Sequence, residues 1–226
     1  CNFPIVAKAQ VSTVGSGVRI IKNRNELKKY IDRAFSTKGI VRRWGPNLRK
    51  GNKWKRLLKR LRNTSDSYKH YRNKYRLIKN DAQKWFVILQ QYLDISSEWR
   101  TVRIGDSFFA HKKRRIGKTF SGGGKIDWMG PSGELLDFME FVTEKRKFLS
   151  QAIDIFEDKE GNFYVDELQC FFGFIHPKHQ MIVNGKPGRY LKKNNKWVFE
   201  EGTFNTNNSY GLRLDHVIQL LKDNKL

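Results

Sequence analysis

The sequence predicts an α+β fold of two α+β subdomains, and three observations carry that expectation. Strand-like and helix-like segments mix along the chain without a regular βαβ period, which argues against a doubly wound parallel sheet. Several β-rich runs come in pairs joined by turns of two to five residues, among them TVGSG, Gly105-Asp106 and EDKEG, as antiparallel hairpins require. Over 226 residues, 38% apolar and 13% aromatic content is enough for a packed core. No apolar run approaches the ~18 residues of a membrane-spanning helix, and no N-terminal stretch has signal-peptide form, so cytoplasmic residence is the expectation. The chain opens on Cys1 rather than methionine and runs almost at once into PIVAKAQV. It therefore reads as a processed chain or a fragment whose N-terminal part is missing.

The elements follow in order. Residues 4 to 21 form a hairpin: PIVAKAQV and VRII are β-rich, and TVGSG supplies the turn glycines. NRNELKKYIDRAF is a helix, since Asn23 and Glu26 have capping-box spacing and Leu27, Tyr30, Ile31 and Ala34 fall on one face. Two basic amphipathic helices are expected next, one carrying Trp54, Leu57, Leu58 and Leu61, the other Tyr68, Tyr71, Tyr75 and Ile78. WFVILQQYL is a strand, and TVRIG with SFFAHKK is a hairpin turning at Gly105-Asp106. GKTFSGGGKIDWMG is loop, ELLDFMEFVTEKRKFL is helix, and QAIDIF and NFYVDELQ are strands joined by EDKEG. A hairpin around 189 to 200 and a helix near DHVIQLLKD close the chain, and no internal repeat interrupts it.

The net charge of +23 is unevenly placed. Between Lys38 and Lys84 seventeen basic residues face only Asp66 and Asp81, an excess of fifteen, so an anionic partner is expected there. Trp44, Trp54 and the three tyrosines lie in the same segment. Lys and Arg mixed with aromatics is also what grips phosphate backbones and stacks bases, although helical spacing equally reads as a buried aromatic stripe beneath a solvated basic face. Cys1 and Cys170 lack metal-ligand spacing, and Cys170, among Leu168, Phe171 and Phe172, reads as a small buried hydrophobe.

The stretch FYVDELQCFFGF looks like a core strand, yet Asp166, Glu167 and Gln169 stand inside it. A buried carboxylate needs a compensating partner. Glu167 and Gln169 share a strand face, and Asp154 on the preceding strand lies within direct or diagonal reach of Glu167 if it faces residue 165 or 167. Two carboxylates and an amide oxygen are hard ligands of the kind Mg²⁺ takes together with substrate phosphates. Taken alone, such a hairpin is more often a solvated sheet face. TVGSG could lay backbone N–H groups on a phosphate or be an ordinary turn, and Lys8 could reach phosphate or be an exposed strand lysine. SGGG at 121 to 124 has the same two readings.

The order of these signals adds information: a strand lysine, a glycine loop, a capped helix, ILQQYL, SEWRTVRIG, FFAHKKRR, a glycine loop, AIDIF, then DELQ followed by Phe-Gly. That ordered set resembles the ATP-grasp superfamily, from about residue 4 to residue 174, interrupted by the basic segment. The resemblance implies an ATP-grasp fold whose two subdomains clasp ATP. The small subdomain and hinge strand would be residues 1–37 and 85–100, the basic helical insertion 38–84, and the large subdomain with a C-terminal extension 101–226. By the same resemblance, Lys8 contacts nucleotide phosphate, and Gly15, Ser16 and Gly17 belong to the loop that closes over it. Gln90, Gln91, Tyr92 and Leu93 read the adenine edge. Glu98, with Asp94 as rival, holds the ribose. Arg100 and Lys112 or Lys113 face the triphosphate, Arg100 and Lys112 in catalytic roles. Asp154, Glu167 and Gln169 hold Mg²⁺.

Several positions depart from the family pattern. Gln169 stands where asparagine is commonest, and Ala152 where some members carry an arginine that steadies the acyl phosphate. CFFGF replaces a small-Pro-Gly turn. The N-terminal domain that helps form the acceptor site, with a further nucleotide-contacting lysine, is absent. The implied activity is an ADP-forming carboxylate–amine ligase that needs no protein nucleophile; His70, His111, His176, His179 and His216 have no obvious partners. The resemblance allows a setting in surface-polysaccharide or peptide tailoring and leaves the carboxylate and amine open. The basic segment would recruit an anionic polymer or acidic peptide. The alternatives are a basic nucleic-acid or anionic-polymer binding module, and an ATP-grasp protein that binds nucleotide without turnover.

Overall fold

The computed structural model describes residues 2–10, 17–41, 73, 82–116, 119–120, 126–172 and 181–225. The two expected basic helices, the SGGG loop and Gly15 and Ser16 of the first glycine loop lie outside the described residues. The architecture is α+β, and the chain divides into two compact units, Cys1–Leu93 and Asp94–Leu226.

In the first unit the expected hairpin forms. Strands β1 (Ile5–Lys8) and β2 (Val18–Ile21) pair antiparallel. Helix α1 (Arg24–Ala34) starts where its capping residues dictate: Asn23 accepts from the Glu26 N–H at 3.0 Å, and Glu26 in turn accepts from the Lys22 N–H at 2.9 Å. Its inner face buries Tyr30 and Ala34 against Ile5, Ala7, Ile21 and Ile40. Strands β3 (Ile40–Val41) and β4 (Ala82–Gln83) pair with each other, so the basic segment leaves and rejoins the unit at neighbouring strands. The fully buried Gln83 amide accepts from the Gln10 N–H at 2.7 Å and donates to the Phe86 carbonyl at 3.1 Å. It thereby fastens the end of the insertion to the sheet. Strand β5 (Ile88–Gln91) pairs with β1 and forms an edge of the three-stranded sheet β2-β1-β5.

The second unit is built on a long hairpin of β6 (Ile95–Ile104) and β7 (Ser107–Lys113). Because β6 runs unbroken from Ile95, residues 94–100 belong to this unit rather than to the small subdomain where the sequence reading put them. Strand β8 (Arg115–Ile116) pairs with β9 (Thr119–Phe120), which together with β10 (Ile126–Asp127) lies within the stretch expected to be loop. Helix α2 (Gly133–Arg146) is capped by Ser132 and ends at Lys147 in the left-handed conformation. Strands β11 (Ser150–Asp158) and β12 (Phe163–Gln169) come next, then β13 (Ile182–Val183), β14 (Lys186–Lys193), β15 (Lys196–Glu201) and helix α3 (Tyr210–Lys222). The antiparallel sheet runs β12-β11-β6-β7-β14-β13, with β10 also on β7 and β15 on β14.

Period-two alternation gives this sheet two different faces. One carries Trp99, Phe108, Ala110, Ile153 and Ile155 and is covered by Leu135, Leu136 and Met139 of α2. Each fully buried side chain of this size contributes roughly 1.5–3 kcal/mol of transfer free energy. The other face carries Val102, Ile104, Phe109 and Ala152, packed with Phe172, Met181 and the partly buried Phe204 and Leu212. Strand β12 is an edge, not the core strand its apolar residues suggest: Val165 and Leu168 are exposed, and Phe171 is 93% exposed. Cys170, just past the end of β12, is exposed as well, contrary to the expected burial. Phe172 turns inward, and Phe163 packs partly buried against the helix-covered core. Among the described residues no helix is long and apolar enough to cross a membrane.

Candidate nucleotide and metal site

On the second face of the larger sheet, the apolar surface of Val102 and Ile104 gives way to charge at Arg100 and Glu98, two and four residues back along β6. Register decides what meets them. Asp154 is the direct cross-strand partner of Arg100 on one side and of Glu167 on the other, and Ala152 opposes Gln169. Glu98 pairs with Lys113, and Arg100 with His111. A bulge at Asp154/Ile155 leaves Asp166 as the extra residue on β12. Both alternatives for the partner of Asp154 are thus resolved in favour of Glu167.

These side chains form one network. Arg100 Nη1 donates to Asp154 Oδ1 at 3.0 Å, and Arg100 Nη2 donates to Gln169 Oε1 at 2.8 Å. Lys113 Nζ donates to Asp154 Oδ2 at 2.8 Å and to a Glu98 carboxylate oxygen. Asp154, Arg100, Glu98 and Lys113 are 9%, 13%, 14% and 17% exposed at their side chains, so the pairs are shielded from water and weakly screened. Burial pushes the Glu98 carboxyl above its ordinary pKa, while Lys113 pulls the other way and Asp154 and Asp166 add to the rise. Glu167 is exposed at the rim.

The turn after β11 is held by Asp158, whose carboxylate accepts from the Glu160 and Asn162 N–H groups, the Asn162 side-chain amide and the Tyr164 hydroxyl. These bonds, the Asn162 side-chain amide first, hold the Asp158 carboxyl below its ordinary pKa. The same turn carries Gly161 at φ +85°, in the region that favours glycine. Asp158 and Gly161 together set the register that brings Asp154 to Glu167.

Of the residues singled out from sequence, Glu98, Arg100, Lys113, Asp154, Glu167 and Gln169 come together. Lys112 does not. The pleat turns it to the opposite face, where its ammonium lies 5.5 Å from the centre of the Trp99 ring. Asp94, the rival to Glu98, pairs with Lys159 on the exposed surface. In the first unit, Lys8 on β1 sits between Val18 and Ile88, Gln90 and Gln91 lie on edge strand β5, and Tyr92 and Leu93 follow it. The Gly17 carbonyl accepts from the Ala9 N–H at 3.0 Å. His111, given no partner from the sequence, lies close to the cluster. It is buried beside Arg100 with its ring 5.7 Å from that of Trp128.

As a donor set, Asp154, Glu167 and Gln169 offer carboxylate and amide oxygens, the chemistry Mg²⁺ requires, with substrate phosphates and water completing its shell. Among the described residues no group of three or more His, Cys, Asp or Glu side chains is gathered as a metal cage. The arrangement therefore fits a metal shared with a ligand's oxygens better than one held by protein alone.

No family model matches the chain, and no curated protein matches it. Solved structures do. The biotin carboxylase domain of 2-oxoglutarate carboxylase from Hydrogenobacter thermophilus, in complex with MgADP, ADP and bicarbonate, is similar at 14% identity and a TM-score of 0.44, over 78% of this chain and 33% of that one. N5-carboxyaminoimidazole synthetase from Staphylococcus aureus, complexed with ADP, is similar at 14% identity and 0.39, over 81% and 36%. The corresponding ribonucleotide synthetase from Thermotoga maritima is similar at 16% identity and 0.35, over 74% and 32%. These neighbours are ATP-grasp enzymes. The chain spans about a third of the length of each.

Proposed function

We propose that the chain carries the nucleotide site of an ATP-dependent, ADP-forming ligase that activates a carboxylate as an acyl phosphate and couples it to an amine. The observation that carries this reading is the convergence of Glu98, Arg100, Lys113, Asp154, Glu167 and Gln169 on one end of one sheet face. Cations and hard oxygen ligands lie side by side there, the mixture that binding a metal–polyphosphate requires. The order of motifs along the sequence supports the same reading.

In this scheme Arg100 and Lys113 orient the phosphates, and Asp154, Glu167 and Gln169 hold Mg²⁺. When bound, the metal supplies charge neutralisation on the transferring phosphoryl group. Glu98, whose carboxyl is already drawn to Lys113, presents an acceptor for ribose hydroxyls. The order of motifs, by its resemblance to the ATP-grasp pattern, assigns phosphate contact to Lys8 and to Gly15, Ser16 and Gly17, and the adenine edge to the backbone of Gln90 to Leu93. The substrate carboxylate attacks the γ-phosphorus and ADP departs. The amine nitrogen then attacks the acyl carbon and inorganic phosphate departs. Lys112, packed over Trp99, takes a structural part in stiffening the sheet rather than the catalytic part the motif order implied.

The test is calorimetric titration of ATP with Mg²⁺, followed by a screen for ADP release across candidate carboxylates and amines. Lys8→Ala should weaken ATP binding by about 1.5–3 kcal/mol, the contribution of one charge-assisted bond, without lowering the thermal stability of the protein measured alone. No ATP binding by the wild-type chain would end this reading.

A further inference from the structure

Two of the three oxygen-donor side chains assigned to the metal are already engaged by the protein's own cations. Both oxygens of Asp154 accept charge-assisted bonds, at 3.0 Å from Arg100 and 2.8 Å from Lys113, and the Gln169 amide oxygen accepts from Arg100 at 2.8 Å. Such bonds are roughly twice as strong as neutral ones, and these are largely buried. The formal charges of Glu98, Asp154, Arg100 and Lys113 cancel. A divalent cation approaching Asp154 would meet two like charges at hydrogen-bond distance from the oxygens it needs.

A nucleotide polyphosphate changes that balance. It offers Arg100 and Lys113 several anionic oxygens at once, and both side chains are long enough to swing from a neighbouring carboxylate to a phosphate. We propose that Arg100 and Lys113 are built-in counter-ions that withhold Asp154 and Gln169 from a divalent metal until a polyphosphate takes the two cations over. Metal and nucleotide then enter as a coupled pair, and by reciprocity each raises the affinity for the other. The inference rests on the nucleotide reading above and adds to it an order of events that the ion-pair geometry imposes.

The experiment uses the full 226-residue chain and Mn²⁺ as a probe in place of Mg²⁺, with free Mn²⁺ followed by its paramagnetic resonance signal. Wild-type protein should show no saturable Mn²⁺ binding alone and clear binding once a non-hydrolysable ATP analogue is present. Lys113→Met should bind Mn²⁺ without nucleotide, roughly tenfold or more tighter than wild type. If that variant folds poorly because Glu98 and Asp154 lose their ammonium, the double variant Glu98→Gln, Lys113→Met removes the opposing charges together and gives the same readout. Wild-type protein that binds Mn²⁺ alone as tightly as the variants overturns the inference. So does an analogue affinity that is identical with and without Mn²⁺, and in both cases the nucleotide reading survives. An analogue that does not bind under any condition removes the nucleotide reading and this inference with it.

Discussion

Asp154 joins three strands through its side chain and its register. It faces Arg100 on β6 and Glu167 on β12, and it reaches diagonally to Lys113 on β7. Asp154→Asn keeps the shape and removes the charge, leaving Arg100 with a neutral acceptor and Lys113 with Glu98 alone. Removing one partner of a buried ionic network costs more than the network contributes, because the remaining charges stay desolvated. Stability in urea should fall by roughly 2–4 kcal/mol, and the Mg²⁺ dependence of ATP binding should vanish. A variant as stable as wild type would show that the network is solvated in solution. Much of this was legible: Glu167 and Gln169, two residues apart, share a face, and Asp154 on the neighbouring strand could reach Glu167. The choice between Lys112 and Lys113 was legible too, although the sequence reading passed over it. A two-residue turn at Gly105-Asp106 pairs Ile104 with Ser107, and counting outward from that pair sets Glu98 opposite Lys113. The engagement of Asp154 by cations had no local signal, since it depends on which strands become neighbours.

Helix α3 shows the same dependence at the scale of an element. Its place against the second unit is tied to the β6–β7 turn, where Gly105 has φ +56° and a Cβ would lie 2.6 Å from His216 Nδ1. Only glycine fits both the backbone and the space. His216 Nε2 is buried with no hydrogen-bond partner among the described residues, and burial lowers the pKa of the ring, with Asp106 opposing and Arg103 reinforcing that shift. A histidine with a depressed folded-state pKa contributes stability that is present above its unfolded value of about 6.5 and is lost as pH falls through that value toward the folded one. Hydrogen-exchange protection in α3, referenced to the intrinsic exchange rate at each pH, should therefore fall on going from pH 7.5 to pH 5.5, more than in α2, and His216→Leu should flatten the difference. An equal loss of protection in the two helices would place the pH response elsewhere. From sequence alone His216 had no partner, because its neighbours lie more than a hundred residues earlier in the chain. Strand β12 failed to announce itself for a related reason. Val165, Leu168 and Phe171 look like core residues, and edge position follows from the pairing of the whole sheet rather than from the strand's own pattern.

For the whole molecule, the charge excess between Lys38 and Lys84 is the largest feature beyond the site, fifteen of a net +23. Strands β3 and β4 close its base, with Gln83 fastening that base to the first unit's sheet. We propose that it captures an anionic polymer or acidic peptide without contributing to the affinity for ATP. Attraction of this kind is screened over a Debye length of about 8 Å at physiological ionic strength. Changing Lys55, Arg56, Lys59 and Arg60 to glutamate removes eight units of charge, about half the local excess. Poly-L-glutamate binding, followed by fluorescence anisotropy, should weaken in the variant, and its dependence on salt should become shallower. ATP affinity measured by calorimetry should stay within about twofold if the segment has no part in the nucleotide site, since screened surface charges contribute little. A single-stranded oligonucleotide serves as the competing probe. If it binds far more tightly than poly-L-glutamate, with a steep logarithmic salt slope, the segment is a nucleic-acid module and the acidic acceptor is excluded. If the four changes abolish ATP binding while poly-L-glutamate binding survives, the insertion belongs to the nucleotide site itself.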